Sequence, residues 1–442
     1  MKRRTFMKLA LGSGLLPLFT GIGNSRWNGW RAIYYWNLHS PPEGLEGAVR
    51  TIEELDARFI WYAHWMVGFP MPPDLEQAKE IATKCGLNRK EAEKFVNWCR
   101  AEFYTLEFVK EQTNAVRGRT YCPTILGYTN FRRDFNFDPI TFEPIAGDEI
   151  ESMLLDLGKW DITNPDTGKP FTIEETQKLF WDLGLPRHNG IPDYSDPKVV
   201  RHYIRRAKAF KKAGAQAVWF DLFFQLPLNL KKRLNLDFDH PMIKDLYDGC
   251  SKIINGAKLM GLTVGTWFHC FEFPYKRPNL DFVTASPTTE EVLSLTIDYE
   301  RWNRLSDLVN GTDLLIIFDF ANRDDLPLPI FSQKLSPQQQ CEFLLKLHDL
   351  VSEIDAPATV AYPIHGPGLG EHPKRLAWNE FKLYDAKAFG TYKTILNLMK
   401  SQQPKSPFMP SYLSILILLA LASKKIKRDR ISQAKRNSLS SS

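Results

Sequence analysis

Short apolar runs alternate with amphipathic stretches between residues 27 and 400 of this chain. Apolar runs bounded by turn residues are typical of strands buried on both faces, and their alternation with helices is typical of parallel βα units. Eight such units predict an α/β fold of the (β/α)8 TIM barrel type. The runs predicted as strands are Arg31–Asn37, Arg58–Val67, Arg119–Tyr128, Ala217–Phe223, Thr263–His269, Leu280–Ala285, Asp313–Phe320 and Ala358–Ile364.

The intervening stretches have the period of helices that bury one face. In Lys198–Lys212, Val199, Tyr203 and Phe210 share an apolar face, and basic residues occupy the opposite face. Gly214 suits the position just after the end of this helix. Further helices are predicted at Pro241–Met260, Tyr299–Val309 and Pro337–Ile354, with two more separated at residues 86–88.

Residues 27–400 are assigned to one barrel domain that carries insertions. The domain is longer than the roughly 250 residues of a typical barrel. The excess lies after strands 2 and 3, mostly in Phe69–Arg117 and Phe131–Asp196. Insertions after strands border the mouth of a barrel, so both segments are predicted to form substrate loops.

The first segment, residues 1–26, has the pattern of an export signal. A basic start precedes an apolar stretch, Leu9–Ile22, that is too short to span a bilayer. The run from Arg3 to Lys8 resembles the twin-arginine (Tat) signal, with departures from its consensus at Lys2 and Met7. The resemblance implies that Arg3 and Arg4 engage the export machinery and that a folded domain is secreted.

The carboxyl-terminal part divides into three short segments. Residues 401–410 form a predicted linker, residues 411–423 a short apolar tail segment, and residues 424–442 a basic, disordered tail. The basic cluster would stay on the cytoplasmic side of a membrane. We therefore expect an extracytoplasmic protein anchored through this tail, with an amphipathic or loosely packed terminal helix as the alternative.

The formal charge of +6 is concentrated at the two ends of the chain. The basic start and the tail after Ser423 account for the positive excess, which leaves the barrel domain mildly acidic. This distribution argues against a nucleic-acid partner. The six cysteines have no metal-type spacing, and they are interpreted either as buried free thiols or as one or two disulfides.

Acidic side chains interrupt two of the predicted strands near their carboxyl ends. Asp221 follows VWF in strand four, and Asp319 follows IIF at the equivalent point of strand seven. A carboxylate is costly to bury without a partner, so each is expected to reach the solvated mouth of the barrel, with an ion pair to Arg132 or Arg323 or a helix N-cap as the alternative. Two carboxylates in one mouth suit glycosidic-bond cleavage, in which one donates a proton while the other attacks or activates water.

The segment KAFKKAGAQAVWFDLFF is similar to the helix–strand–Asp segment of glycoside hydrolases built on (β/α)8 barrels. The resemblance to α-amylase-like and clan D enzymes implies that Asp221 is the nucleophile or base. Glu272 would then be the proton donor of the amylase-like layout and Asp319 its strand-seven carboxylate, whereas Asp281 would be the donor of the clan D layout. Trp219 departs from the amylase pattern, where an arginine is usual, and so does Ile317, which begins Ile-Phe-Asp in place of Asn-His-Asp.

Other side chains near the predicted strand ends suit the recognition of a carbohydrate or another small polar substrate. Histidines would bind hydroxyl groups and tryptophans would stack on sugar faces. The predicted substrate-binding residues are His64, Trp65, Trp36, Asn130, His269, Asp281, Tyr362 and His365, with Trp267 as a further stacking candidate.

The favoured mechanism requires no cofactor and no metal. One alternative is a metal-dependent hydrolase on the same barrel, in which Asp319 and the histidines would hold the ion. The other is a surface protein that binds glycans without cleaving them.

Overall fold

The computed structural model describes residues 31–35, 38, 43–61, 75–84, 86–93, 106–128, 131–133, 135–141, 143–181, 187, 189–309, 311–319, 325–367 and 383–401. The chain divides into two units, Met1–Met399 and Lys400–Ser442, and only residues 400 and 401 of the second unit are described. The predicted export signal, linker and tail segments therefore lie outside the described ranges. Within those ranges, no helix is long and apolar enough to cross a membrane.

Twelve strands occur in the described ranges. They are β1 (Ala32–Tyr35), β2 (Phe59–Trp61), β3 (Thr120–Cys122), β4 (Thr124–Leu126), β5 (Phe135–Phe137), β6 (Pro144–Ala146), β7 (Ala217–Asp221), β8 (Thr263–Trp267), β9 (Phe282–Ala285), β10 (Asp313–Ile316), β11 (Ala358–Pro367) and β12 (Leu383–Asp385).

The main helices of the described ranges are α1 (Gly44–Glu54), α2 (Leu75–Lys84), α3 (Leu106–Ala115), α4 (Asp148–Glu151), α5 (Ile173–Trp181), α6 (Pro197–Lys212), α7 (Gln225–Arg233), α8 (Pro241–Leu259), α9 (Thr289–Ser294), α10 (Tyr299–Leu308), α11 (Pro327–Lys334), α12 (Pro337–Glu353) and α13 (Tyr392–Ser401). Two 3-10 helices occupy Leu157–Trp160 and Phe268–Phe271, and a helical turn spans 89–93.

The parallel strands form a nearly closed ring. Their order is β3-β2-β1-β11-β10-β9-β8-β7-β4, so β3 and β4 stand at the two ends of the hydrogen-bonded path. Those two segments are consecutive in the chain and are separated only by Pro123, which has no backbone N–H for a ladder. Nine parallel segments thus fill eight strand positions, which confirms the predicted (β/α)8 barrel.

The predicted strands and helices agree closely with the observed ones. Each of the eight predicted strands contains or overlaps a strand of the ring, and the four predicted helices after residue 197 agree with the observed ones to within one residue at each end. Asp196 caps the first turn of α6 by accepting a hydrogen bond from the Lys198 N–H. Gly214 follows the helix with φ +96°, a conformation that costs glycine little.

Aromatic side chains fill the interior of the ring. Side chains alternate across a strand, so Ala217, Trp219 and Asp221 of β7 face the same side. The Trp219 ring lies 5.1 Å from that of Trp61 across the barrel, and its Nε1 donates a hydrogen bond to Thr284 Oγ1 at 3.1 Å. These contacts identify the inward face, and Asp221 lies on it.

Between β4 and α6 the chain builds a separate small substructure. It contains the antiparallel pair β5–β6, the short helix α4, a 3-10 helix and α5. This is the region in which the second insertion is predicted. Much of the first predicted insertion lies outside the described ranges, and the positions of both insertions stay predictions.

Gly265 tests the packing of the barrel interior. A Cβ at this position would lie 2.2 Å from atoms of the Phe282 ring, which a rigid aromatic cannot avoid by rotation. We expect Gly265→Ala to lower the free energy of unfolding by about 2 kcal/mol because of overpacking. Urea unfolding measures the change.

The control is the double variant Gly265→Ala/Phe282→Leu. Because the smaller side chain makes room, adding Gly265→Ala to Phe282→Leu should cost much less than adding it to the native protein. Equal unfolding midpoints for the native protein and Gly265→Ala would contradict the packing described above.

Candidate active site

Asp221 is the last residue of β7 and stands where the apolar strand meets the mouth of the barrel. The four preceding residues are fully buried, whereas Asp221 is partly exposed. Its backbone carbonyl accepts a hydrogen bond from Gly127 N–H at 2.9 Å, which fixes the strand end against the next segment. Leu222 then turns the chain with φ +63°, a left-handed conformation that is strained for leucine. Such strain is often retained at functional sites.

The surroundings of Asp221 favour its protonated form. Burial raises the pKa of Asp221 to about 7, and the negative charge of Asp319 adds to this increase. Hydrogen bonds from Trp267 and from the Leu222 N–H oppose the shift in pKa because they stabilise the carboxylate. Among the described residues, no lysine or arginine forms an ion pair with Asp221, so none of them lowers its pKa in this way.

The Trp267 indole holds the Asp221 carboxyl group in place. Its Nε1 donates a hydrogen bond to Asp221 Oδ1 at 2.7 Å, and its ring packs against Trp219 at 5.5 Å. The side chain of Trp267 is 7% exposed. Trp267 was predicted to stack on a sugar, but its buried ring leaves little surface for that purpose, and its observed contact is with the acid.

Asp319 enters the site from the segment after β10. Its N–H donates a hydrogen bond to Ser286 Oγ at 2.9 Å, and its carbonyl accepts one from Leu328 N–H at 3.0 Å. Phe318 packs outward against Phe331 of α11, so the alternation turns Asp319 inward. The electrostatic effect of Asp319 on Asp221 shows that the fold brings these two predicted residues together.

Glu272 and His269 form a second polar pair at the 3-10 helix after β8. His269 Nδ1 lies 2.5 Å from Glu272 Oε1, and both side chains are partly exposed. The two residues line a cavity of about 570 Å³ against α7 and the loop that follows it. In the structure, Glu272 therefore contacts His269 and lines this cavity.

Asp281 lies at the opposite end of the barrel from Asp221. It directly precedes β9, accepts a hydrogen bond from Val264 N–H at 2.9 Å and pairs with Lys258. Val264 is the second residue of β8, so this is the amino-terminal side of the ring. The prediction that Asp281 borders the mouth is corrected by this position. Its ion pair with Lys258 stabilises the opposite end of the barrel.

Tyr362 points away from the barrel interior. Its hydroxyl oxygen lies 2.8 Å from His348 Nδ1 on α12, within the layer between strand and helix. Burial raises the pKa of Tyr362. The prediction that its side chain meets substrate at the mouth is corrected, because the strand alternation directs it to the outer side.

His365 is also turned outward, for a different reason. Along β11 the register passes from Tyr34 opposite Pro363 to Tyr35 opposite His365, so β11 carries one extra residue. Such a bulge reverses the alternation. His365 consequently packs 5.7 Å from the Tyr35 ring with Nδ1 3.5 Å from Asp385 Oδ2, and it is 1% exposed. Its predicted contact with substrate is corrected accordingly.

Four predicted substrate-binding residues lie outside the described ranges. They are Trp36, His64, Trp65 and Asn130. Their assignments stay predictions.

One further neighbour of Asp221, Tyr128, lies at the end of the third predicted strand. Tyr128, which closes the third strand position, has a raised pKa because of burial, and the charge of Asp221 contributes to the shift. Its hydroxyl oxygen lies 3.5 Å from Asn229 Nδ2 on α7. Asn229 stands one helical turn beyond Gln225, and no local pattern in the sequence marks either amide as part of a site.

Possible metal ligands and cysteine thiols can be located among the described residues. Among them, no group of three or more histidine, cysteine, aspartate or glutamate side chains is arranged to hold a metal ion. Cys122, Cys250, Cys270 and Cys341 are free thiols. The other two cysteines lie outside the described ranges.

Sequence comparisons assign no family to this chain. No protein-family profile and no curated protein matches it. Solved structures with some similarity include an inactive mutant of a GH20 exo-β-N-acetylglucosaminidase from Vibrio harveyi, at 10% identity and a TM-score of 0.34. That match covers 73% of this chain and 46% of the other, so this chain spans less than half of that enzyme's length.

Two further structures are similar at the same low level. The Nostoc punctiforme debranching enzyme, soaked with acarbose, matches at 11% identity and a TM-score of 0.40, covering 82% of this chain and 72% of that enzyme. The glycoside hydrolase domain of PelA from Pseudomonas aeruginosa matches at 11% identity and a TM-score of 0.34, covering 75% of this chain and 94% of that domain.

The strand order defines the class of protein, because it makes the chain a parallel α/β barrel. An acidic pair lies at the mouth of this barrel.

The raised pKa of Asp221 predicts how stability depends on pH. The folded protein retains this proton up to about pH 7, whereas the unfolded chain releases it near pH 3.9. The folded state therefore binds more protons in this window, and the contribution of Asp221 to stability falls as the pH rises through it. An amide side chain cannot ionise, so Asp221→Asn should gain about 4 kcal/mol of unfolding free energy over the native protein between pH 4 and pH 8.

Urea unfolding at pH 4 and pH 8 measures this difference. Asp307→Asn, at an exposed position of α10, is the matched control and should show no such dependence on pH. The free energy of unfolding of Asp221→Asn would be compared with that of the native protein at each pH. If this difference were less favourable to the variant at pH 8 than at pH 4, the result would contradict the raised pKa.

Proposed function

We propose that this chain is a glycosidase-type hydrolase that cleaves glycosidic bonds by carboxylate acid/base catalysis. The observation that supports this function is the pair of acidic side chains at the mouth, where Asp319 contributes to the raised pKa of Asp221. An acid that is half protonated near neutral pH, beside a second carboxylate, is the arrangement that such cleavage requires.

In this proposal Asp221 is the proton donor. Its protonated oxygen transfers a proton to the glycosidic oxygen as the C–O bond breaks, and the bonding electrons remain with the departing sugar. Asp319 either attacks the anomeric carbon or takes the proton of an attacking water. The resemblance to amylase-like enzymes implies the reverse role for Asp221, as nucleophile or base, but a pKa near 7 suits an acid better.

Trp267 is a positioning residue in this mechanism. Its hydrogen bond fixes one oxygen of Asp221 at 2.7 Å, so the other oxygen is left to hold the proton that is transferred. The same bond limits the increase in pKa, because it stabilises the charged form to which the acid must return.

The proposal includes an extracytoplasmic location. Its support is the run of basic residues that includes Arg3 and Arg4, followed by a short apolar stretch. The apolar run in residues 411–423 followed by basic residues supports a membrane anchor at the other end. Signal removal and membrane attachment of the full chain would be checked by mass spectrometry and fractionation of the cells that make it.

Two substitutions test the assignment of roles. Asp221→Asn should reduce the hydrolysis of natural polysaccharides by about 1,000-fold, because the leaving group loses its proton donor. It should retain much more activity on aryl glycosides whose leaving group needs no proton. Asp319→Asn should reduce both activities, because it removes the base or nucleophile. Release of reducing ends and of the aryl group measures the two rates.

The pH dependence gives an independent readout. Because Asp221 must be protonated to act, the rate on polysaccharides should fall as the pH rises through about 7. Asp307→Asn serves as the control and should behave as the native protein in both assays. Native rates for Asp221→Asn on both substrates would contradict the mechanism, and glycan binding without hydrolysis by any form would favour the non-catalytic alternative.

A further inference from the structure

A cavity beside the mouth combines apolar and polar lining groups. We call it the α7 cavity, and it has a volume of about 570 Å³. Leu228, Leu236 and Phe238 supply apolar surface, and Gln225, Asn229 and Asn235 supply amide groups. An apolar patch bordered by amides suits a sugar ring, which presents C–H groups on its faces and hydroxyl groups at its edge.

The α7 cavity adjoins the proposed catalytic acid. Gln225 begins α7 only four residues after Asp221 in the chain. Asn229, a lining residue, contacts the Tyr128 hydroxyl group, and the charge of Asp221 influences the pKa of that tyrosine. On the other side, the ring of the lining residue His269 lies 6.3 Å from that of Trp267, which binds Asp221. A ligand that occupies the cavity would therefore lie next to the acid.

Two lysines of the α7 cavity have positive charges that no carboxylate of the described residues neutralises. Within those ranges, neither Lys231 nor Lys232 forms an ion pair. Lys231 Nζ instead lies over the Phe238 ring at 4.6 Å from its centre. The carboxylate of Glu272 lies in the same cavity, but its Oε1 is engaged with His269 Nδ1.

One amide oxygen of the cavity has no hydrogen-bond partner among the described residues. Gln225 Oε1 is buried, and none of their N–H or O–H groups donates to it. A buried acceptor without a donor costs free energy, which a ligand hydroxyl group would recover if the Gln225 side chain turned toward the cavity. This acceptor, together with the lysine charges, indicates a ligand that has both hydroxyl groups and an acidic group.

We propose that the α7 cavity binds a sugar unit with an acidic substituent, namely a carboxylate or a sulfate, next to the bond that is cleaved. The lysines bind the acidic group as point charges, the amides bind hydroxyl groups, and Phe238 with the leucines covers one ring face. This inference rests on the proposed function, since it names the substrate class of the same site. It makes the substrate an acidic glycan.

Binding to a catalytically inactive form tests the inference separately from hydrolysis. The full chain with Asp221→Asn would be titrated by calorimetry with two series of trisaccharides, one of β-linked glucose units and one of α-linked galactose units. Each series would contain a neutral, a uronate and a sulfated member. We expect at least one acidic member to bind about tenfold more tightly than its neutral counterpart, since hydrogen bonds to charged groups add this much. The advantage should shrink as the salt concentration rises.

Substitution of the two lysines locates the site. The double change Lys231→Gln/Lys232→Gln should abolish the preference for the acidic ligand and leave the affinity for the neutral one unchanged. Lys212→Gln, at the exposed end of α6, is the matched control and should retain the preference. The ratio between the uronate and sulfate affinities identifies which acidic group the cavity prefers.

The outcomes separate this inference from the proposed function. Equal affinity for neutral and acidic ligands, no binding of any ligand, or a preference that survives the double lysine change would overturn the acidic-glycan assignment. None of these results would alter the effect of Asp221→Asn on hydrolysis. Conversely, a preference lost only with the lysines would support the α7 cavity even if no form of the protein hydrolysed any glycan.

Discussion

The desolvation of one carboxyl group, Asp221, is the interaction on which the proposed site depends. Four buried residues of β7 lead directly to this side chain, and the barrel offers it an indole N–H but no cation within the described residues. Burial therefore raises the pKa of Asp221 to about 7, and Asp319 adds to the effect. The folded protein is therefore less stable at neutral pH than it would be with an exposed aspartate at this position. An exposed aspartate, however, would be ionised at neutral pH and could not donate a proton.

The aromatic interior explains how this acid is held in position. Trp219 contacts Trp61 on one side and Trp267 on the other, so the side chain that binds Asp221 is supported by a packed layer across the barrel. Large buried rings have few alternative rotamers in a dense core. The carboxyl group is consequently oriented by the same packing that closes the ring of strands, and the α7 helix that follows Asp221 builds the neighbouring cavity.

The sequence predicts the barrel and the acidic pair because both depend on features that are local along the chain. Apolar runs define the strands, and Asp221 and Asp319 interrupt two of them at equivalent points. Other predicted site residues are wrong because a shift of one residue along a strand decides which way a side chain points or at which end of the barrel it lies. Asp281 lies just before its strand and so at the wrong end of the ring, and the extra residue in β11 turns His365 outward. The α7 cavity depends on contacts between distant segments, which periodicity does not encode.

Direct titration of the Asp221 carboxyl group measures its pKa in the folded protein. Difference infrared spectra between the native protein and Asp221→Asn, recorded over a range of pH, isolate the protonated C=O band of this one side chain. We expect this band to disappear with a midpoint near pH 7. A midpoint near the ordinary value of about 3.9 would show that Asp221 is a normal surface carboxylate and would contradict its role as the acid.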